Sequence, residues 1–491
     1  MIGDEIEAVI EAIEYIHDTL DDREIVAYAE VGGGVRDHGE VVITDDGVQS
    51  TIEHNVTEVW WRVYVDGAAD YRYTTSLDTA HVDDLLDRAI RAAELLDQSD
   101  AIRFDPATVH RAIHDGWGER GSERETAIDG DADRLKRILH EVSADLPIER
   151  ANLAYRADEL TEFLTTTTGS WLRTTLKRVG ANLTLATTEG KLQRHIGTTT
   201  GCLDDRLRDE LVDDAAAVNR LVSTPSTPLR TADRFDVALS PRAAGHLFHQ
   251  LSHYFEKDMI FLGSSPVECG MRFGPDCLSI DDGIDPGSWA ARAYDAEGRP
   301  TQATALVRDG IVTDVLTDAS SALAEERPPM GAVIPAIGYE HPPRVHARHL
   351  NVAPGTTPYE ELVTAADVSI ERLNKGRFGN EATRTKRESG MPPSVAYAKD
   401  IARATPVEYA DESASQTLEF PVELAYRSIG GTRERVCNAV LEISLKDVAR
   451  LTDLSSRRET TTGTCRKHGS TLPFAVTAPG VSLSARLRPT R

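Results

Sequence analysis

Residues 25–75, IVAYAEVGGGVRDHGEVVITDDGVQSTIEHNVTEVWWRVYVDGAADYRYTT, alternate apolar and polar side chains and are cut by Asp/Gly clusters. Alternation with period two sets one face of each strand on a core, and the turn residues fold the chain back on itself. The stretch therefore predicts a curled antiparallel sheet. Ahead of it, residues 4–20 carry Ile6, Val9, Ile10, Ile13 and Ile16 at helical spacing. Behind it, 81–98 and 131–146 return to the helical period, 149–190 reads as Thr-rich strands, and 204–223 reads as a further helix. The fold class expected from this pattern is α+β.

STPSTPLRTADRFD (223–236) places two prolines and small polar residues between periodic segments, the composition of a linker. It predicts two domains, 1–225 and 226–491. In the second, FDVALSP reads as a strand, PRAAGHLFHQLSHYFEKD (241–258) as one helix, and 277–318 as strands joined by turns. Residues 320–400, rich in Pro, Gly and Arg, give no clear pattern. The tail, 418–491, reads as two strands, a helix near LKDVARLTDL, and further strands.

The chain of 491 residues is long enough for more than one core. Its formal net charge of −26, with no local basic patch, argues against nucleic acid or an anionic membrane as partner. Arginine outnumbers lysine 45 to 9, and acidic residues are abundant. This balance resembles proteins of salt-accumulating halophiles, so the charge reads as an adaptation to habitat. Five scattered cysteines without a CxxC pair argue against a disulfide framework or a zinc ribbon. No apolar run approaches the ~18 residues of a membrane span, and the acidic start lacks the pattern of a secretory signal. The expectation is a soluble, cytoplasmic protein.

Potentially reactive side chains are densest at His246-Leu-Phe-His249-Gln-Leu-Ser-His253-Tyr-Phe-Glu256-Lys-Asp258. On a helix, residues four apart share a face, so His249 and His253 can serve one metal ion, with Glu256 on the same side. HQLSH has the spacing of the zinc helix HExxH, with Gln250 where the glutamate belongs. A carboxylate there would move the proton in hydrolysis, which an amide cannot do. Glu256 or Glu268 are the alternative proton carriers. A third metal ligand must come from elsewhere, and Cys465 is the candidate, in a polar, Gly-flanked loop where Arg466 and Lys467 would favour the thiolate. Other features read as structural. Gly32-Gly33-Gly34 lacks dinucleotide-loop spacing and reads as a bulge or turn, Trp60-Trp61 as core and rim of a strand, and Asp281-Asp282 as a turn. His341, His346 and His349 could line a chamber.

These stretches resemble the TldD/PmbA family, also described as modulator-of-gyrase metalloproteases. Residues 27–44 and 66–98 are similar to its N-terminal domain and RAAGHLFHQLSHYFEKD to its metal helix. SIDDGIDPGSWAARAYDAEGRPTQATALVRDGIV is similar to its most recognisable stretch, with the motif DxxGxPTQxTxLxxxGI, and GTCRKHGSTLPFAVTAPGVSL to its C-terminal metal-ligand loop. The resemblance implies a two-domain subunit with a buried metal, by position Zn²⁺ on His249, His253 and Cys465, that hydrolyses short or unfolded peptides as a homodimer or as a heterodimer with another family member. Two departures stand out: Gln250 occupies the family's glutamate position, and the two histidines are one residue closer than in the family. Aligning on FEKD instead would put Phe248 at the first ligand and His249 at the glutamate. Because metal-free subunits lack the cysteine, Cys465 places this chain with the metal-bearing type. The alternative is a non-catalytic partner or peptide-binding subunit. Direct contact with gyrase or DNA has no basic patch behind it.

Overall fold

The period-two stretch forms β1 (Tyr28–Thr44), β2 (Gly47–Val65) and β3 (Ala68–Thr74), each antiparallel to the one before. The computed structural model describes residues 2–95 except 67, 111–113, 128–199, 203–378 except 262, 326, 328 and 329, and 417–490 except 430 and 431. Cys202 and the end of the helix expected at 81–98 lie outside these residues. Short β4 (Arg111–Ile113) lies parallel to β6 (Trp171–Thr187), while β5 (Arg150–Thr166) joins β1 to β6, and β7 (Gly190–Thr198) adds to β6. Among the described residues this makes a seven-stranded sheet.

Its two faces bury different chemistry. Odd-numbered residues such as Val31, Val59, Trp61 and Val63 form an apolar core with α1 (Ile2–Asp21) and α2 (Thr79–Glu94). Farther along the strands, Val41, Ile43, Leu153, Tyr155 and Leu183 pack on α3 (Ile128–Ser143) and α4 (Asp204–Ser223). The even-numbered face carries Glu30, Glu58, Glu162 and Arg178, yet all four are buried. Residues of the second half, among them Arg292, Glu297 and Tyr339, lie over it. Arg62 Nη2 donates to Glu297 at 3.0 Å, the Tyr71 hydroxyl to the Tyr339 carbonyl at 2.8 Å and the Tyr339 hydroxyl to Glu162 at 2.6 Å, and Arg292 pairs with Glu162. Alternation that reads as one wet and one dry face is therefore one apolar interior and one charged interior. Gly32, Gly33 and Gly34 lie within β1 rather than in a turn, with the Trp60 ring against Gly32.

The second half is built on a sheet with thirteen described strands, and all of them come from residues 226–489. Strand β8 (Ser226–Pro228) pairs parallel with β19 (Thr432–Cys437), so the proline-containing segment expected to be a linker begins this sheet instead. The centre is β9 (Asp233–Leu239) beside β22 (Ser470–Pro489). From β22 the order runs outward on one side through β15 (His349–Val352), β10 (Ile280–Gly283), β11 (Thr304–Arg308) and β12 (Ile311–Val312). From β9 it runs through β16 (Val368–Leu373) and β18 (Thr417–Ile429), the latter flanked by β17 (Arg377–Phe378) and β20 (Ala439–Ser444). A separate pair, β13 (Val333–Ile334) and β14 (Arg344–Val345), precedes β15, and β21 (Asp453–Lys467) forms a long hairpin with β22.

Three local expectations are corrected. Residues 284–303 contain no named strand. They are turns, in which the Asp295 carboxylate accepts the backbone N–H groups of Glu297 and Arg299, both at 2.9 Å, and Gly298 takes φ +77°. The DxxG motif thus builds a turn that only glycine completes without strain. The helix near residue 445 is a single turn, Leu445–Val448. Asp281 and Asp282 sit in β10, not in a turn.

Candidate metal centre

Helix α5 (Pro241–Ser252) starts where sequence dictates. Ser240 caps it by accepting the Ala243 N–H at 3.0 Å, and Pro241 occupies the first turn, where its missing donor costs nothing. The expected single helix over 241–258 is broken: His253–Phe255 forms a 3₁₀ turn, and α6 (Lys257–Phe261) follows. His249 in the last turn and His253 just past it bring their rings to 5.1 Å. Phe248, the alternative first ligand, packs in the apolar core at 1% exposure. His249, rather than Phe248, stands with the other donor atoms.

Cys465 lies on β21, paired with Leu472 across the hairpin, and is buried. The expected loop is a strand because 460–464, Thr-Thr-Thr-Gly-Thr, is dominated by β-branched residues that suit a pleated surface. Its sulfur stands 3.4 Å from His253 Nε2. His346, directly after β14, completes the group. The donor atoms of His249, His253, His346 and Cys465 all lie within 4.8 Å of one another, and all four residues are buried. Both ring nitrogens of His346 are buried with no hydrogen-bond partner. A buried imidazole with two idle nitrogens and a thiol among imidazoles fits a borderline-soft divalent ion such as zinc, which takes N and S donors.

Three supports hold these donors. His253 Nδ1 meets Glu256 Oε2 at 2.8 Å, so one ring edge faces the carboxylate and the other the sulfur. Lys467, two residues beyond Cys465, donates to Glu256 at 2.8 Å, Asp258 at 2.7 Å and the Val345 carbonyl at 2.6 Å. One ammonium thus ties the cysteine strand to the segment after His253 and to the residue before His346. On the far side of His346, Arg348 is fixed by Asp282, with contacts of 2.9 Å from Nε and 2.7 Å from Nη2.

Electrostatics follow from this packing. Burial alone would raise the Cys465 thiol, but His253 and His249 beside it hold it well below the usual range. Arg466 is exposed and Lys467 is engaged with carboxylates, so the expected activation by these two is replaced by activation from the imidazoles. Burial lowers His249 to about 4. Burial opposes charge on His253 too, yet Glu256 and Cys465 lift it to about 10.

Of the residues singled out in sequence, His249, His253 and Cys465 converge. Glu256 stands behind His253, held by Lys467 and by the Ala347 N–H at 3.3 Å. Gln250 is buried beside Gly376, where a Cβ would fall 2.7 Å from Gln250 Cγ. Glu268 is exposed. His349 bonds Thr477 at 2.8 Å, and the His341 ring lies against Gly469, so neither belongs to the four-residue group. Arg348 was not singled out in sequence; Asp282 was read as a turn residue and Lys467 as a neighbour favouring the thiolate, and the tie Lys467 makes between segments had no signal beyond its spacing from Cys465.

The His/Cys cluster, drawn from the end of α5, the turn after it, the residue after β14 and the terminal hairpin, is metallopeptidase-like. Residues 232–383 match the family described as PmbA/TldA metallopeptidase C-terminal domain. A protein named metalloprotease from Synechocystis is 28% identical over 183 residues, 36% of this chain and 39% of that protein. Another metalloprotease, from Methanothermobacter thermautotrophicus, is 30% identical over 133 residues, 26% of this chain and 29% of that one. The matched segments thus span well under half of these relatives. The fold matches over nearly the whole length. A Bacteroides thetaiotaomicron structure described as a candidate modulator of DNA gyrase aligns with TM-score 0.67 at 11% identity, covering 98% of both chains. TldE from Thermococcus kodakarensis aligns with TM-score 0.65 at 11% identity, covering 98% of this chain and 100% of that one.

Proposed function

We propose that the chain is the metal-bearing, peptide-hydrolysing subunit of a PmbA/TldD-type dimer, with Zn²⁺ held by His249, His253 and Cys465 and with His346 as a fourth donor. The single observation that carries this reading is the convergence of four buried donors, one of them with both nitrogens idle. A bound ion would supply Lewis-acid polarisation of a peptide carbonyl. Glu256 orients His253 and keeps its Nε2 turned to the sulfur side, and Lys467 keeps Glu256 ionised. The division at 225/226, with one sheet on either side, and the cytoplasmic setting belong to the same reading. Among the described residues no helix is long and apolar enough to cross a membrane.

Two observations favour the second reading, a non-catalytic partner subunit: Gln250 cannot carry a proton, and four protein donors would close a tetrahedral site that hydrolysis needs open. The test is cobalt-substituted protein, purified in concentrated salt, together with peptide hydrolysis by the Gln250→Glu variant. A cobalt spectrum that shifts on adding azide, and a rise of about 10²–10⁴-fold in hydrolysis on restoring the carboxylate, support the enzyme. A spectrum blind to azide and a metal-loaded but inert variant support the closed, non-catalytic subunit.

A further inference from the structure

The even-numbered face of the first sheet and the loop between β13 and β14 enclose a cavity of about 460 Å³, counting its open mouth. Five charged residues line it: Arg36, Arg178, Arg292, Glu58 and Asp158. Four of the five have partners of opposite charge. Arg292 pairs with Glu162, Asp158 with His38 at 2.7 Å and with Arg156 at 3.0 Å, and Arg36 approaches Glu58 at 3.6 Å. Arg178 does not. It is 7% exposed, and its buried Nε and Nη2 have no hydrogen-bond partner. A buried guanidinium whose N–H groups find no acceptor is costly; Glu162 and Asp158 attract this one only from beyond ion-pair distance, and its Cζ lies 5.9 Å from the Trp289 ring centre. Burial, with Arg292 nearby, pushes Arg178 down to about 10.

A second recess, of about 380 Å³ counting the open solvent at its mouth, shares the Arg292 and Tyr339 walls with the first. Its remaining lining is mostly apolar, with Trp60, Phe163, Leu164 and Pro335, and its two carboxylates, Glu162 and Asp295, are engaged, Glu162 by Arg292 and Tyr339 and Asp295 by backbone N–H groups. A chamber holding one arginine without an ion-pair partner thus adjoins a mostly apolar one. From Tyr339 the loop reaches His346 in seven residues, a span of at most about 25 Å.

We infer that this double cavity is a carboxylate-binding subsite: Arg178 takes one carboxylate and the adjoining apolar chamber takes the side chain next to it. Resting on the peptide reading above, this makes the preferred ligand a peptide with a carboxylate beside an apolar residue, supplied by its C-terminus or by an acidic side chain. A planar guanidinium fork matches a carboxylate in two-point geometry. A dianion such as phosphate would face Glu58 and Asp158 with only one unmatched positive charge to hold it.

The test is equilibrium binding of three N-terminally fluorescent pentapeptides to the full chain as purified: one ending in Phe with a free carboxylate, its C-terminal amide, and the amide with Asp before the Phe. At least tenfold tighter binding of the free acid than of the plain amide is expected, and Arg178→Gln should abolish that difference without changing metal content. If the Asp-containing amide matches the free acid, the carboxylate chemistry stands with an acidic side chain as its source. Equal binding of acid and plain amide, no binding of any of the three, or an unaffected preference in Arg178→Gln overturns the proposal. The acid-to-amide contrast uses the unaltered protein, so a misfolded variant cannot hide a failure. Metal analysis of the same sample reports separately on the hydrolase reading: metal absent with the acid preference intact removes that reading and leaves the subsite.

Discussion

His253 and Cys465, 212 residues apart in the chain, stand with Nε2 and Sγ 3.4 Å apart; against the burial of both, Glu256 and then the sulfur favour charge on His253, and His253 and His249 favour the thiolate. The cysteine reaches the helix only because β22 is central in its sheet, with β9 on one side and β15 on the other, and carries β21 as its hairpin partner.

If the four donors act together, His346→Ala and Cys465→Ala should each cut bound zinc from near one per chain to below about a tenth, read by elemental analysis. Arg466→Ala, altering an exposed neighbour, should leave it unchanged. Retention of full metal in His346→Ala would reduce the ligand set to three and reopen the catalytic position.

Lys467 satisfies two buried carboxylates and a carbonyl at once. Lys467→Met strands Glu256 and Asp258 without their cation, and breaking such a buried pair costs about 3–5 kcal/mol. Denaturant unfolding should show that loss. Metal competition should show about 10–100-fold weaker binding, the usual effect of removing support behind a ligand.

Gly245 in α5 lies against Thr461 of β21, where an added Cβ would fall 2.3 Å from the hydroxyl oxygen and 2.6 Å from the Thr461 Cβ. Although alanine is the better helix former, Gly245→Ala should destabilise by about 1–3 kcal/mol through overpacking. The double variant Gly245→Ala with Thr461→Ser, which removes a methyl but keeps the Cβ, should recover only part of it.

Glu423 on β18 accepts from the Gln193 N–H at 3.3 Å and from Asn374 at 3.0 Å, with Lys191 attracting and Asp214 repelling its charge. Burial is the dominant effect and pushes its carboxyl up to about 7. The folded state then holds the proton longer than the unfolded chain. Stability from this group is therefore greatest below about pH 4.5 and falls as pH rises towards about 7. Urea midpoints measured across that window should fall less steeply for Glu423→Gln than for the unaltered chain.

Much of this was legible in residue order. The spacing of Ile6 to Ile16 and the run from 204 to 223 appear as α1 and α4, and the alternation over 25–75 as three strands. The His249 and His253 pair and Cys465 were visible as residue types, and the resemblance joined them. The break at His253 was not visible, because no proline or glycine marks it and the contacts around it, Glu256 on His253 and Lys467 on Glu256, leave no local pattern. His346 was one histidine among three in a Pro-rich segment. Its place is set by Asp282 gripping Arg348 from a strand over sixty residues earlier, a contact with no local signature. The segment 284–303 misled because its polar residues satisfy one another and the first sheet, which a strand pattern imitates.

The charged seam also limits how such chains can be recombined. Glu162 answers to Arg292 and Tyr339, and Arg62 to Glu297. Each is a lock with its key more than a hundred residues downstream. A hybrid that grafts the first half of one relative onto the second half of another would inherit mismatched keys, even where both halves share the same backbone. Natural drift at these positions has to proceed in pairs.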